Sequence, residues 1–257
     1  MESLEETFRY FIELSFNGTR FNGWQIQPNA PTVQDLIEGK LAQILGERPL
    51  VVGAGRTDSG VHASFYVAHF DTTKRLTDTA NIMYRLNKML GADVSILRIY
   101  PVKNEAHARF SADARKYIYY VNFQKDPFAQ EIEWLYPYHL DFEAMNQAAA
   151  VLFEFSDFTS FSKLHTQVKT NICRIDEAKW LVKGSKAEFH IKADRFLRNM
   201  VRAIVGTMIE VGLGRVSVDE FRKIIALKDR SRAGYSVPGK GLFLTDVIYP
   251  DGLQMQV

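Results

Sequence analysis

The amino-acid sequence predicts an α+β protein of two halves, each with the strand and helix order of a ferredoxin-like or RRM-like domain. Two observations predict it. Alternating apolar residues mark strands, capped segments with apolar residues every three or four positions mark helices, and the order β-α-β-β-α-β fits both halves of the 257 residues. Periodicity is also lost around Asn104. We therefore expect domains over residues 1–104 and 105–257, with their sheets joined at the edges around a central cleft.

The first half contains four predicted strands and two predicted helices. FRYFIELSF (8–16) alternates well, with Phe8, Tyr10, Ile12, Leu14 and Phe16 on one face, which is typical of a half-buried strand. PTVQDLIEGKLAQILG (31–46) predicts a helix that Thr32 caps, with Asp35 at the capping-box position and Gly46 at the end. A short strand is expected around Leu50–Gly53. The remaining elements are strands in SFYVAHF (64–70) and VSILRIY (94–100), with a capped helix in TDTANIMYRLNKMLG (77–91) between them.

The second half repeats this order less clearly. The predicted strands are RKYIYYVNF (115–123), ICRIDEAKWLV (172–182), AEFHIKA (187–193) and GLFLTDVIY (241–249). The predicted helices are DFEAMNQAAAVLF (141–153), RFLRNMVRAIVGTMIEVG (195–212) and SVDEFRKIIAL (217–227), the last capped by Ser217. Gly184 supplies the turn between the two middle strands. Sequence identity between the halves is too low to establish a repeat.

Composition excludes several classes of protein. Hydrophobic residues make up 46% and charged residues 24%, the balance of an ordinary globular chain, and the net charge of +2 permits a nucleic-acid partner without requiring one. The single Cys173 excludes an internal disulfide framework and a zinc cluster of several thiolates. The chain starts with acidic residues rather than a leader, and its longest apolar stretch is interrupted by Arg202 and Glu210. We expect a cytoplasmic protein with no membrane association.

The stretch VGAGRTDSGVHA (52–63) combines glycines with Arg56, Asp58 and His62. It is not a phosphate-binding loop, because Asp58 stands where the third glycine of G-x-G-x-x-G belongs and no Lys-Ser/Thr pair follows. It is not half of an aspartic protease site, because the chain has no second Asp-Ser/Thr-Gly and Arg56 would keep the carboxylate ionised. The residue types alone remain equally compatible with a tight surface loop.

Longer blocks carry a resemblance to a known family. GRTDSGVHA (55–63) resembles the signature of the tRNA pseudouridine synthase A family, and four other blocks are similar to family blocks in the same order: FNGTRFNGWQIQPNAPTVQDLIE (16–38), ARFSADARKYIYYV (108–121), FSDFTSF (155–161) and FLRNMVRAIVGTMIEVG (196–212). RAGYSVPGKGLFLTDVIYP (232–250) resembles the closing block. Two departures are Asn17, where the family commonly has Asp, and several small residues of AGYSVPGKGL (233–242).

The resemblance implies the pseudouridine synthase fold and the isomerisation of uridine to pseudouridine in the anticodon arm of tRNA, at positions 38 to 40. It implies Asp58 as the catalytic carboxylate and Arg202 as the cation that keeps it charged and oriented. Tyr117 is implied to stack on the target uracil, and Arg56 to fill the space that the flipped base leaves. Alone, Tyr117 also suits an ordinary strand, and Arg202 a helix surface.

Further implied contacts are less specific. Leu242 or Leu244 would cover the other side of the base, and His62 would support the loop or contact substrate rather than act as an acid or base. The family chemistry needs no redox cofactor, nucleotide or metal, and the family implies a homodimer. Clusters of cations can hold RNA phosphates: Lys74 with Arg75, Arg109 with Arg115 and Lys116, Lys163 to Arg174, Arg195 with Arg198, and Arg215 to Arg232.

FTSFSKLHTQVKTN (158–171) has the polar and basic composition of an RNA-facing loop. Two alternatives stay open from the residues alone. One is the same chemistry on a different RNA, and the other is a catalytically silent RNA-binding or RNA-folding protein on the same scaffold. The joint presence of Asp58, Arg202 and Tyr117 favours an enzyme, because binding alone does not need that trio.

Overall fold

The computed structural model describes residues 7–163 and 170–255. The chain forms two compact units, one built from the residues up to Asp113 together with those from Leu244 onward, and the other from Ala114–Phe243. No helix within the described ranges is long and apolar enough to cross a membrane. The functional domain boundary expected at residues 104 and 105 stays a prediction.

The first unit has the predicted ferredoxin-like order. Its elements are β1 (Phe8–Phe16), α1 (Val33–Leu45), β2 (Val52–Gly53), β3 (His62–Thr72), α2 (Thr79–Met89) and β4 (Val94–Val102). The strand order is β4-β1-β3-β2, and each neighbouring pair is antiparallel. Because a crossover through α1 puts β2 on the far side of β3, a strand of only two residues is enough to complete the order.

Local capping signals fix the ends of the first helix. The Thr32 side chain accepts a hydrogen bond from Asp35 N (3.4 Å), and Gly46 ends the helix in the left-handed conformation at φ 83°. The carboxylate of Asp35 pairs with Arg48 (2.6 Å). The predicted cap at Thr32 is confirmed, and the Asp35 carboxylate pairs with Arg48, which lies outside the helix.

The second unit begins with β5 (Ala114–Asn122). It continues through β6 (Trp134–Leu135), α3 (Phe142–Val151), β7 (Ile175–Lys183), β8 (Lys186–Ala193), α4 (Met200–Gly212), α5 (Val218–Ala226) and the start of β9 (Leu242–Ile248), whose later residues belong to the first unit. The strand order β5-β8-β7 is antiparallel, with β6 parallel to the end of β5. Gly184 forms the β7–β8 turn at φ 61°, as predicted. The α+β class is confirmed in both units.

Helix α4 differs from its prediction at its beginning. It starts at Met200 rather than Arg195, because Asn199 adopts the left-handed conformation at φ 66° and interrupts the helical path. Eleven of its thirteen residues are buried, and the exceptions are Arg202 and Glu210. Helix α4 is therefore largely buried, and Arg202 is an arginine on a largely buried element.

Candidate active site

The loop between β2 and β3 carries Arg56 and Asp58, and His62 follows it as the first residue of β3. Val61 N donates to Asp58 O (3.2 Å), which closes a tight turn, and Gly60 occupies its third position at φ 73°. That conformation strongly favours glycine. A tight turn is compatible with both interpretations of this stretch, and its closing hydrogen bond uses the backbone carbonyl of Asp58.

The segment just before α1 supports this turn from one side. Phe21 O accepts hydrogen bonds from Gly60 N (3.3 Å) and from Ser59 Oγ (3.4 Å). Trp24 N donates to Thr57 O (3.4 Å). A Cβ on Gly23 would lie 2.3 Å from Thr57 O, so only glycine allows the two backbones to approach this closely.

An aromatic pair lies beneath the start of the loop. Trp24 and Tyr66 stack with ring centroids 4.2 Å apart, and the Tyr66 hydroxyl donates to Gly55 O. A Cβ on Gly53 would lie 2.1 Å from the Tyr66 hydroxyl oxygen and 2.6 Å from the Trp24 ring. Residue 53 is therefore held to glycine by packing, and the loop rests on a rigid base.

The three predicted side chains of the loop differ in their environment. Arg56 is exposed and Asp58 is half-buried, whereas His62 is 1% exposed. The Nδ1 atom of His62 accepts a hydrogen bond from Gly18 N (3.0 Å). This geometry gives His62 a supporting role in the loop, and its predicted contact with substrate stays a prediction.

Arg202 belongs to the second unit, where α4 and the segment after α5 position it. Its Nε donates to Val237 O (2.7 Å), and Val237 N donates to Arg202 O (3.2 Å). A Cβ on Gly206, one turn further along, would lie 1.8 Å from Tyr235 O, so this segment packs directly on the helix backbone. The segment belongs to the atypical block AGYSVPGKGL, and it fixes the base of the Arg202 side chain.

Tyr117 and its neighbours on β5 separate into different environments. Tyr117 is 8% exposed, and its ring meets Phe196 edge-on at 5.0 Å. Tyr119 is fully buried, and its hydroxyl donates to Pro238 O (2.8 Å). Burial raises the pKa of Tyr119 far above its ordinary value. Tyr119 is therefore a core residue, and Tyr117 remains the candidate for stacking.

Leu242 and Leu244 lie two positions apart on β9 and are 6% and 1% exposed. Residues two apart on a strand share a face, so the strand geometry does not choose between them. Asn17, one of the departures from the family pattern, caps a short 3₁₀ helix by accepting a hydrogen bond from Thr19 N (3.0 Å).

Several features of the loop were not predicted from the sequence. The packing of Trp24 and Tyr66 against Gly53 was not predicted, although Trp24 belongs to block 16–38, one of the blocks that resemble the family. Thr57 is 8% exposed, and its Oγ1 has no hydrogen-bond partner among residues 7–163 and 170–255. A buried polar atom of this kind, next to a candidate catalytic residue, could be found only in three dimensions.

The structure thus brings Arg56 and Asp58 onto one loop of the first unit, and His62 directly follows that loop. It places Arg202, Tyr117 and Leu242 in the second unit, and their placement around Asp58 stays a prediction. Residues 164–169 of the predicted RNA-facing loop lie outside the described residues. Among the described residues, no group of three or more His, Cys, Asp or Glu side chains is arranged to hold a metal ion.

Comparisons with known proteins find close relatives along nearly the whole chain. A family model described as tRNA pseudouridine synthase matches residues 149–250. A tRNA pseudouridine synthase A of Parabacteroides distasonis is 56% identical over 95% of this chain and 97% of its own length. Proteins of the same name from Bacteroides fragilis and Bacillus subtilis are 52% and 38% identical, over 94% and 92% of this chain and 96% and 97% of their own lengths.

Proposed function

The chain belongs to the tRNA pseudouridine synthase A family, and we propose from this premise that it converts uridine to pseudouridine in the anticodon arm of tRNA, at positions 38 to 40. It is an isomerase of the tRNA-modifying class. The observation that carries the proposal is the 56% identity over 95% of the chain, combined with an intact loop around Asp58. A silent RNA-binding protein is not favoured.

The reaction is an internal rearrangement in which all atoms of the uridine are kept. The bond between ribose C1′ and uracil N1 breaks, the base rotates, and a bond forms between C1′ and C5. The proton on C5 is lost and N1 gains one. Asp58 is the proposed catalytic carboxylate, which attacks the sugar, adds to the ring, or removes a sugar proton to give a glycal. Each route requires the ionised form.

The other proposed roles follow from the family pattern. Arg202 keeps the carboxylate ionised and oriented, Tyr117 stacks on the uracil, and Leu242 or Leu244 covers its opposite face. The hydrogen bond from Arg202 Nε to Val237 O supports an oriented guanidinium, because one end of the group is already fixed. The edge-on contact with Phe196 likewise fixes the plane of the Tyr117 ring.

The target uracil must flip out of the stacked bases of the RNA before it can react, which costs about a few kcal/mol of free energy. Arg56 is exposed on the same loop as Asp58, which supports the proposal that it fills the space left by the base. His62 is 1% exposed, and we propose that it supports the loop or contacts substrate rather than acting as an acid or base. We propose a cytoplasmic homodimer that binds tRNA, with the Asp58 loop carried by a domain of residues 1–104 and the cleft completed by residues 105–257.

The test is mapping of pseudouridine in unmodified tRNA transcripts incubated with wild type, Asp58→Asn or Glu47→Gln. Asp58→Asn keeps the size of the side chain and removes its charge, so we expect activity to fall by at least about 10²-fold. Glu47 is exposed and lies outside the loop, and its variant should match wild type. Pseudouridine at other uridines would keep the chemistry and change the substrate. If wild type binds the transcripts but forms no pseudouridine in them, the proposed activity is refuted and the protein is an RNA-binding protein.

A further inference from the structure

A tight turn over residues 107–111 projects an aromatic side chain from the first unit. His107 N donates to Ser111 Oγ (2.9 Å) and Ser111 N donates to His107 O (2.9 Å), which closes the turn at both ends. The Nδ1 atom of His107 accepts from Arg109 N (3.1 Å) and Phe110 N (3.3 Å). The backbone of Phe110 is therefore fixed, although its side chain is 75% exposed.

The base of the turn is tied to the sheet. The Arg9 guanidinium donates to Ala106 O (2.9 Å) and makes two hydrogen bonds of 2.7 Å to the carboxylate of Asp71. Ala108 N donates to Nδ1 of His69 (3.1 Å), a residue on β3 that is 4% exposed. The turn cannot shift without breaking contacts to two strands.

A column of rings supports the exposed phenylalanine. The His69 and His107 centroids are 4.6 Å apart, and the His107 and Phe110 centroids are 4.5 Å apart. The Arg109 guanidinium carbon lies 5.3 Å from the Phe110 centroid. Burial and the charge of Arg9 lower the pKa of both histidines, that of His69 to about 4, which favours the neutral form of the two rings.

This arrangement differs from that of an ordinary exposed aromatic residue. Phe128 of the second unit is 94% exposed and makes no ring contact with the residues that the structure describes. Single exposed apolar side chains are common and need no explanation. A rigid ring with a guanidinium beside it is the combination that proteins use to stack bases of single-stranded nucleic acid, because every base presents a π-face and the cation attracts the phosphates.

We propose that Phe110 is a stacking platform for an unpaired nucleobase of the RNA substrate, with Arg109 beside it. The proposal rests on the proposed function for the identity of the RNA. The base that stacks here is a second one, because the reacting uracil is assigned to Tyr117. A fixed ring loses little conformational entropy on binding, which makes its contribution to affinity large for a single side chain.

The experiment measures binding of fluorescein-labelled, unmodified tRNA transcript by fluorescence anisotropy, together with KM for pseudouridine formation. We expect Phe110→Ala to raise Kd about 5- to 150-fold, the range for loss of one base on an aromatic ring. Phe110→Trp should keep wild-type affinity, because it offers a larger π-face. Phe110→Leu should behave like Phe110→Ala, and Phe128→Ala, the matched control, should bind like wild type.

Three results would overturn the proposal. Equal effects of Phe110→Ala and Phe128→Ala would show that any exposed apolar residue serves, and wild-type affinity in Phe110→Leu would show that only apolar area matters. A change in sedimentation of Phe110→Ala without RNA would assign the ring to a contact between copies of the chain. If wild type binds tRNA but makes no pseudouridine, and Phe110→Ala still weakens binding, the proposed function fails while the platform stands.

Discussion

Replacing Glu38 with alanine should destabilise the segment that leads into the Asp58 loop. Glu38 lies on α1 and is 4% exposed. Its Oε1 accepts hydrogen bonds from Val51 N and Gln34 Nε2, both at 3.0 Å, and its Oε2 accepts from Arg48 Nε at 3.1 Å. Val51 immediately precedes β2, so one carboxylate fixes the chain where it enters the loop.

The magnitude follows from what each partner loses. Val51 is fully buried, and an N–H group left there without an acceptor costs about 1–3 kcal/mol. Gln34 keeps its hydrogen bond to Val51 O (3.0 Å), and Arg48 is half-exposed and keeps Asp35 (2.6 Å), so together they add at most about 1 kcal/mol. The sum is a loss of about 1–4 kcal/mol in the free energy of unfolding.

Urea unfolding followed by circular dichroism measures this loss, with Glu38→Gln and Glu47→Ala alongside Glu38→Ala. Glu38→Gln keeps an oxygen for Val51 N, so it should cost about 1 kcal/mol, from a weaker contact with Arg48. Glu47 is exposed, and its variant should match wild type. A loss below about 1 kcal/mol for Glu38→Ala, or equal losses for the alanine and glutamine variants at position 38, would refute this account of the loop entrance.

Two further predictions concern buried polar groups of the first unit. Thr57→Val removes a hydroxyl without a hydrogen-bond partner in the described chain, so the free energy of unfolding in urea should stay equal or rise by about 1 kcal/mol, and a fall would mean that the hydroxyl is bonded. Burial first, and then the charges of Arg9 and His107, lower the pKa of His69 from 6.5 to about 4, against an opposing effect of Asp71. The unfolded chain therefore binds the extra proton, and stability that is complete above pH 6.5 should fall by at most about 3 kcal/mol toward pH 4. His69→Asn, whose amide oxygen can keep the backbone hydrogen bond that the ring accepts at 3.1 Å, should lose most of this pH dependence in urea titrations, and an unchanged slope would contradict the assignment.

Most secondary structure could be predicted from the sequence because its signals are local. Thr32 and Gly46 delimit α1, and the two-residue β2 appears where the strand around Leu50–Gly53 was expected. The beginning of α4 was wrong by five residues, since the apolar pattern continues through Arg195 and only the left-handed Asn199 breaks the helix. The short strand β6 was missed because its two residues form a strand only by pairing with the end of β5. Such a pairing leaves no periodic pattern in the sequence.

The candidate site was predicted from the sequence less completely than the secondary structure. The motif supplied Asp58, Arg56 and His62 on one loop, and resemblance supplied the residues of the second unit. The support of the loop was not predictable, because it depends on close approaches such as the one that excludes a Cβ at Gly53. Periodicity reports which face of an element is apolar, but it does not report which backbone atoms come within 3 Å of each other.

The contacts of the loop show which of its features the fold itself requires. Gly60 is required by its φ, the backbone of Thr57 by Trp24 N, and His62 by Gly18 N. The turn is closed through the backbone carbonyl of residue 58, which any amino acid provides. Arg56 is exposed, and its guanidinium makes no hydrogen bond or ion pair within the ranges that the structure describes. The closing hydrogen bond of the turn therefore requires neither an aspartate at position 58 nor an arginine at position 56, the two residues to which the proposed reaction assigns the chemistry and the space left by the displaced base.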